Sequence, residues 1–350
     1  MKRTYGMFKE EDFVDDGMKP RDRVLAALAC KKLDRPPVVC FTQSATVDQM
    51  DAVGAHWPDA HTDPDKMVTL ALASNKVFGF ESARLPFCLT VEAEIMGCTV
   101  DLGKVDRTPM VKKHVFESSS EVDVPKDFSQ LGRAKIVVEA TKLLKKRSGG
   151  ELPVVVGTTG PFTIAGHLVG TENLLLWIVT EPESVHKFVK IAAQVEHNYL
   201  KAIAAAGADV IVMSDPSAST DMLSGEMFDE FAAPYIKQSF SGIEGTRNVL
   251  HICGDTTLLL PHMMATGVHG LSIEEKVQPE KAVEIVRNKA ALIGNVGVVK
   301  PLLQGTPEDV KRETTRVVES GFNLVAPGCG LAARVPKDNI QALVHAVKGH

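Results

Sequence analysis

No apolar run in this chain of 350 residues reaches the roughly 20 residues that a membrane helix needs, so no membrane span is expected. The opening stretch, MKRTYGMFKEEDFVDDGMK, lacks the apolar core of a signal peptide. It reads as a polar extension over residues 1–18, ahead of one domain over residues 19–350. A basic surplus is also missing. Lys and Arg number 39 against 44 Asp and Glu, for a net charge of −5, so nucleic acid is not the expected partner. Internal repeats and low-complexity tracts are absent. So is a Gly-rich dinucleotide fingerprint after the first strand-like run, which weighs against a doubly wound nucleotide-binding sheet. Disulfides are not expected. In a large chain without an export signal, the six cysteines belong to a reducing compartment, the cytoplasm. Each is then a metal ligand or a small core residue; Cys30 and Cys40 read as core.

What is present is alternation. Strand-like runs fall at 38–42, 82–87, 153–158, 209–214, 248–253, 268–274, 291–296 and 323–327. Helical patterns lie between most of them, such as PESVHKFVKIAAQVEHNYLKAIAAAG, with a start signal at Thr306-Pro307-Glu308 and glycines after helices at Gly207 and Gly321. Eight strands alternating with helices predict an α/β fold, a (β/α)8 TIM barrel. One segment breaks the rhythm. Residues 96–118 hold two short strand-like pieces around a turn, read as a β-hairpin insertion after the second strand.

In such a barrel the chemistry sits at the C-terminal ends of the strands. Those ends offer Gln43, Thr158, Asp215, His251 with Cys253, Glu274, Asn295 and Cys329. His251 and Cys253 are two apart on a strand and share a face. Cys329 arrives three strands further on. An isolated H-x-C is a weak pattern, but barrel placement lets these three converge, and Gly254, Gly328 and Gly330 permit close approach. Three N and S ligands with no fourth Cys or His nearby is the donor set of catalytic rather than structural zinc. Two thiolates and a neutral imidazole cancel the charge of the ion. A substrate thiol, deprotonated by the metal yet still nucleophilic, suits that centre better than water. Thiol alkylation is the reaction class this favours.

The other candidates each have a plain structural alternative. Glu274 is the preferred displaceable fourth ligand. Asp215 is a functional carboxylate or a helix cap. Arg84, inside an apolar strand, is either paired within the barrel or holds an anionic group of the substrate. His167 either faces a bound cofactor or satisfies a loop. KLLKKR, at 142–147, reads as a solvated helix face.

The stretches LDRPPVVCFTQSATVDQMDAVGAHWPDAHTDP, FESARLPFCLTVEAEIMGC, VVGTTGPFTIAG, HICGDT and APGCGLA resemble the methylcobamide:coenzyme M methyltransferases of the uroporphyrinogen decarboxylase superfamily. CFTQSATVDQM is closest to the methylamine-pathway form. The resemblance implies a (β/α)8 barrel with Zn2+ on His251, Cys253 and Cys329. It also implies coenzyme M as the thiol and a methylcobamide, carried on a separate corrinoid protein, as methyl donor in methanogenesis. Gln43, Arg84, Thr158, His167, Asp215 and Asn295 are the expected binding residues for the cofactor or substrate. The rival readings are a uroporphyrinogen decarboxylase, a corrinoid methyltransferase acting on another thiol, and a non-catalytic zinc- or corrinoid-binding protein. The decarboxylase would need several arginines at the barrel mouth, where the strand ends instead show a Cys/His set.

Overall fold

The computed structural model describes residues 17–118 and 122–349; the expected extension over 1–18 falls almost wholly outside them. Nine strands are present among the described residues: β1 (Ala83–Leu85), β2 (Thr99–Asp101), β3 (Met110–Lys113), β4 (Val154–Thr159), β5 (Val210–Ser214), β6 (Arg247–Ile252), β7 (Gly270–Ile273), β8 (Ala291–Val296) and β9 (Leu324–Pro327). Seven of them form one parallel sheet in the order β1-β4-β5-β6-β7-β8-β9. Helices cross over between successive members. β2 and β3 pair antiparallel in a small separate sheet, within the segment where a hairpin is expected.

The strands are apolar and β-branched because both faces of the sheet are covered. Alternate residues divide between two cores. Val155, Val210, Val212, Val249, Ala291, Ile293, Leu324 and Ala326 fill the concave face, closed at one end by Val24, Ala27 and Leu28 of the helix Pro20–Leu28. Their neighbours Val154, Val156, Ile211, Met213, Leu250 and Ile252 pack outward against the helices. The helix Pro307–Ser320 starts where the sequence signal lies: Thr306 and Asp309 form a reciprocal capping box, and Gly321 ends the helix at φ 96°.

One expected strand differs. The run 38–42 forms only a single parallel bridge, Val38 to Val325. Pro36 and Pro37 have no N–H to give, and the Cys40 N–H turns to the Ser82 hydroxyl at 3.1 Å. The segment nevertheless lies between the two sheet edges. Val39 N donates to Val325 O at 2.8 Å, and Glu81 N donates to Val38 O at 2.7 Å. No single helix among the described residues is long and apolar enough to cross a membrane.

Candidate metal centre at the C-terminal ends of the strands

His251 is in register with Ser214 on one side and Ser272 on the other. Val249 faces the concave core, so His251, two residues on, does too. Gly254, at φ 86°, turns the chain just after Cys253. Cys329 comes from the end of β9, where Gly328 N donates to Val296 O at 2.8 Å. A Cβ at Gly328 would come within 2.7 Å of Glu275 Oε2, and one at Gly330 within 2.9 Å of Gln43 O. Glycine is needed at both for the chain to bring Cys329 inward.

The result is one tight cluster. Cys253 Sγ lies 3.3 Å from His251 Nε2 and 3.3 Å from Cys329 Sγ, and the three ligand atoms all fall within 4.8 Å of one another. Both cysteines are free, and the sulfur separation is far beyond the ~2.05 Å of a disulfide. It is close to the roughly 3.8 Å between two sulfurs that each sit ~2.3 Å from one tetrahedral ion. His251 Nδ1 meets Ser272 O at 3.1 Å and Ser272 Oγ at 3.0 Å. A carbonyl only accepts, so Nδ1 carries the proton and the Nε2 lone pair is left facing the sulfurs. The hydrogen bond between the thiols lowers the pKa of Cys329, and the same hydrogen bond together with burial raises that of Cys253. Donor type, spacing and imidazole orientation all fit a thiophilic divalent ion.

A family model for uroporphyrinogen decarboxylase matches residues 19–350. The chain belongs to the uroporphyrinogen decarboxylase family. It is 39% identical over 337 residues to a methylcobamide:CoM methyltransferase MtbA of Methanosarcina acetivorans, covering 95% of this chain and 98% of the relative. It is 37% identical over 328 residues to the methylcobamide:CoM methyltransferase MtaA of Methanosarcina barkeri, covering 93% and 96%. A solved methyltransferase structure from Methanosarcina mazei superposes with a TM-score of 0.92 at 38% identity, covering 95% of this chain and 99% of that one.

In this member of the uroporphyrinogen decarboxylase family, the remaining expected residues scatter. Glu274 is not part of the three-atom cluster; its carboxylate accepts the Gly254 N–H at 2.5 Å and stands 3.9 Å from Lys276 Nζ. Asn295 braces that strand end, donating to Glu274 O and Val277 O at 3.2 and 2.7 Å. Asp215 is a buried helix cap. It accepts from Thr163 N at 2.7 Å and Thr163 Oγ at 2.6 Å, while burial raises its pKa to about 6. Thr158 continues the outward-facing series of Val154 and Val156, away from the cluster. His167 sits in the helix Pro161–Val169, where burial pulls its pKa down to about 4. Gln43 lies beside Gly330 through both its backbone oxygen and its side chain. Arg84 lies on β1, buried and facing inward.

Two neighbours of the centre carried no sequence signal. Ser272 is an ordinary strand serine until the register sets it beside His251. Glu275 has a buried Oε2 without a hydrogen-bond partner, and burial, then Glu274 and Cys329, raise its pKa.

Proposed function

We infer that this chain is a methyltransferase that moves a methyl group from a methylated corrinoid to the thiol of coenzyme M, as the names of its relatives describe. The observation that carries the reading is the His251–Cys253–Cys329 cluster at the C-terminal ends of the parallel strands. Zinc held by these three residues would supply a Lewis acid that takes the acceptor as its thiolate and so lowers the thiol's affinity for its proton. Ser272 holds the imidazole in the ligating tautomer, and the Cys sulfurs provide a soft, charge-neutralising pair. Glu274 is the carboxylate we assign to the remaining position; its bond to Gly254 N–H tethers it to the Cys253 loop. In the transfer, the acceptor's S–C bond forms as the Co–C bond breaks. The electron pair stays on cobalt, and the thiol's proton is released.

The finer features belong to the same proposal. Segment 38–42, lying between β9 and β1, serves as the eighth position that closes a (β/α)8 barrel. The methyl donor arrives on a separate corrinoid protein, and the upstream methyl source is a methylamine. The test is anaerobic. Zinc-loaded protein is mixed with methylcobalamin and coenzyme M, and the cobalamin spectrum is followed beside that of Cys329→Ala. Demethylation that depends on coenzyme M and is lost in the variant supports the reading. Absence of demethylation, from free methylcobalamin and from a methylated corrinoid protein alike, overturns it.

A further inference from the structure

Among the described residues Arg84 is a buried cation without an ion pair. It is 4% exposed. Nη1 donates to Pro86 O, but Nε and Nη2 have no hydrogen-bond partner. No described carboxylate forms an ion pair with it. Glu92, whose charge it feels, is committed to Thr159 N at 3.0 Å and Thr159 Oγ at 2.8 Å. A buried guanidinium with empty donors is costly unless something completes it. Burial lowers its pKa only to about 10, so it remains a cation at neutral pH.

Its position says what would complete it. Gly157 has no side chain where the guanidinium passes, and a Cβ there would collide with Nη2. Gly157 precedes Thr159 by two residues, and Thr159, Ser214 and His251 are aligned in register. The cationic fork therefore lies about one pleat, roughly 6.6 Å at ~3.3 Å per residue, back along the strands from the imidazole, and two strands across from it on the same inward face. Ser214, which continues the inward series of Val210 and Val212, also has a buried hydroxyl without a partner. The unfilled Nε and Nη2 of Arg84 and the Ser214 hydroxyl face the same interior as a centre suited to a thiol.

We propose that Arg84, helped by Ser214, is the anion anchor for the methyl acceptor, binding the sulfonate of a short thiol whose sulfur lies at the His251–Cys253–Cys329 centre. Coenzyme M carries its sulfonate two methylenes from its sulfur, a spacing of the right order. This rests on the thiol-methylation reading and makes Arg84 the residue that sets acceptor specificity. A positioned anion accepts two N–H bonds from one guanidinium fork.

The test compares coenzyme M with 2-mercaptoethanol, which has the same thiol and no anion. In the wild type, KM for coenzyme M should be the lower. Arg84→Met should raise that KM on the order of 10- to 100-fold while leaving KM for 2-mercaptoethanol and bound zinc unchanged. Gly157→Ala, which keeps the cation but displaces it, should shift KM the same way, and Arg84→Lys should recover part of the preference. Folded variants that keep the full preference overturn the proposal, as does an equal loss with both thiols. If the wild type methylates neither thiol, calorimetric binding of the two to zinc-loaded protein still decides: an Arg84-dependent preference for coenzyme M supports the anchor, and no preference overturns it.

Discussion

At the scale of single residues, the centre depends on alternation along one strand and on a register contact across two. The alternation was legible: His251 and Cys253 share a face because they are two apart. The register contact was not, because nothing in GLSIEE marks Ser272 as the residue that will meet His251 Nδ1. Ser272→Ala removes the hydroxyl partner but keeps the carbonyl at 3.1 Å. Metal affinity should fall about tenfold, the lower end for loss of a ligand's supporting bond, measured by competition with a chelator of known affinity. An unchanged affinity would show that the carbonyl alone orients the ring. Loss of a ligand itself is harsher. Cys253→Ala should bind less than one zinc per chain at micromolar metal and lose transfer activity more than ~100-fold, checked by metal analysis and the cobalamin assay.

At the scale of elements, most strand positions were readable from β-branched runs between helical patterns, and β8 matches its expected bounds residue for residue. The run 38–42 misled because hydrophobic pattern does not reveal where the N–H groups go. Two prolines and a serine acceptor take the place of a ladder. Asp215 shows the same limit from the other side. Its place at a strand end suggested chemistry, whereas its oxygens are spent on the first turn of the helix Pro161–Val169. Asp215→Ala should therefore lower stability by about 2 kcal/mol, the upper range for a helix cap, seen in urea unfolding, with zinc stoichiometry intact. Loss of zinc would instead place Asp215 at the centre.

The long helix Pro182–Ala205 carries a second buried acid, Glu196. Burial, then Glu92 and Asp215, push its pKa well above the usual 4.5. A carboxyl raised in the folded state contributes stability that is fully present below the unfolded value and is lost as pH rises through the folded one. Glu196→Gln should thus melt close to the wild type at pH 5 and a few degrees above it at pH 9. A constant difference across that range would mean that Glu196 does not titrate in this way.

At the scale of the whole molecule, the centre is an addition to a sheet already formed and covered on both faces, rather than its nucleus. Chelation should abolish methyl transfer while leaving the far-UV circular dichroism unchanged, and restoring zinc should recover activity. A loss of helical signal on chelation would mean that the metal holds the fold together. The buried Arg84 and the two-thiol centre lie on the same inward face of one sheet. The composition gave no hint of that arrangement, because it arises only when strands distant in sequence meet.

The most direct test of the central claim is X-ray absorption at the zinc edge, on zinc-loaded protein with and without coenzyme M. The account predicts two sulfur scatterers at about 2.3 Å in the free protein and three once the thiol is added. A sulfur count that stays at two would contradict it.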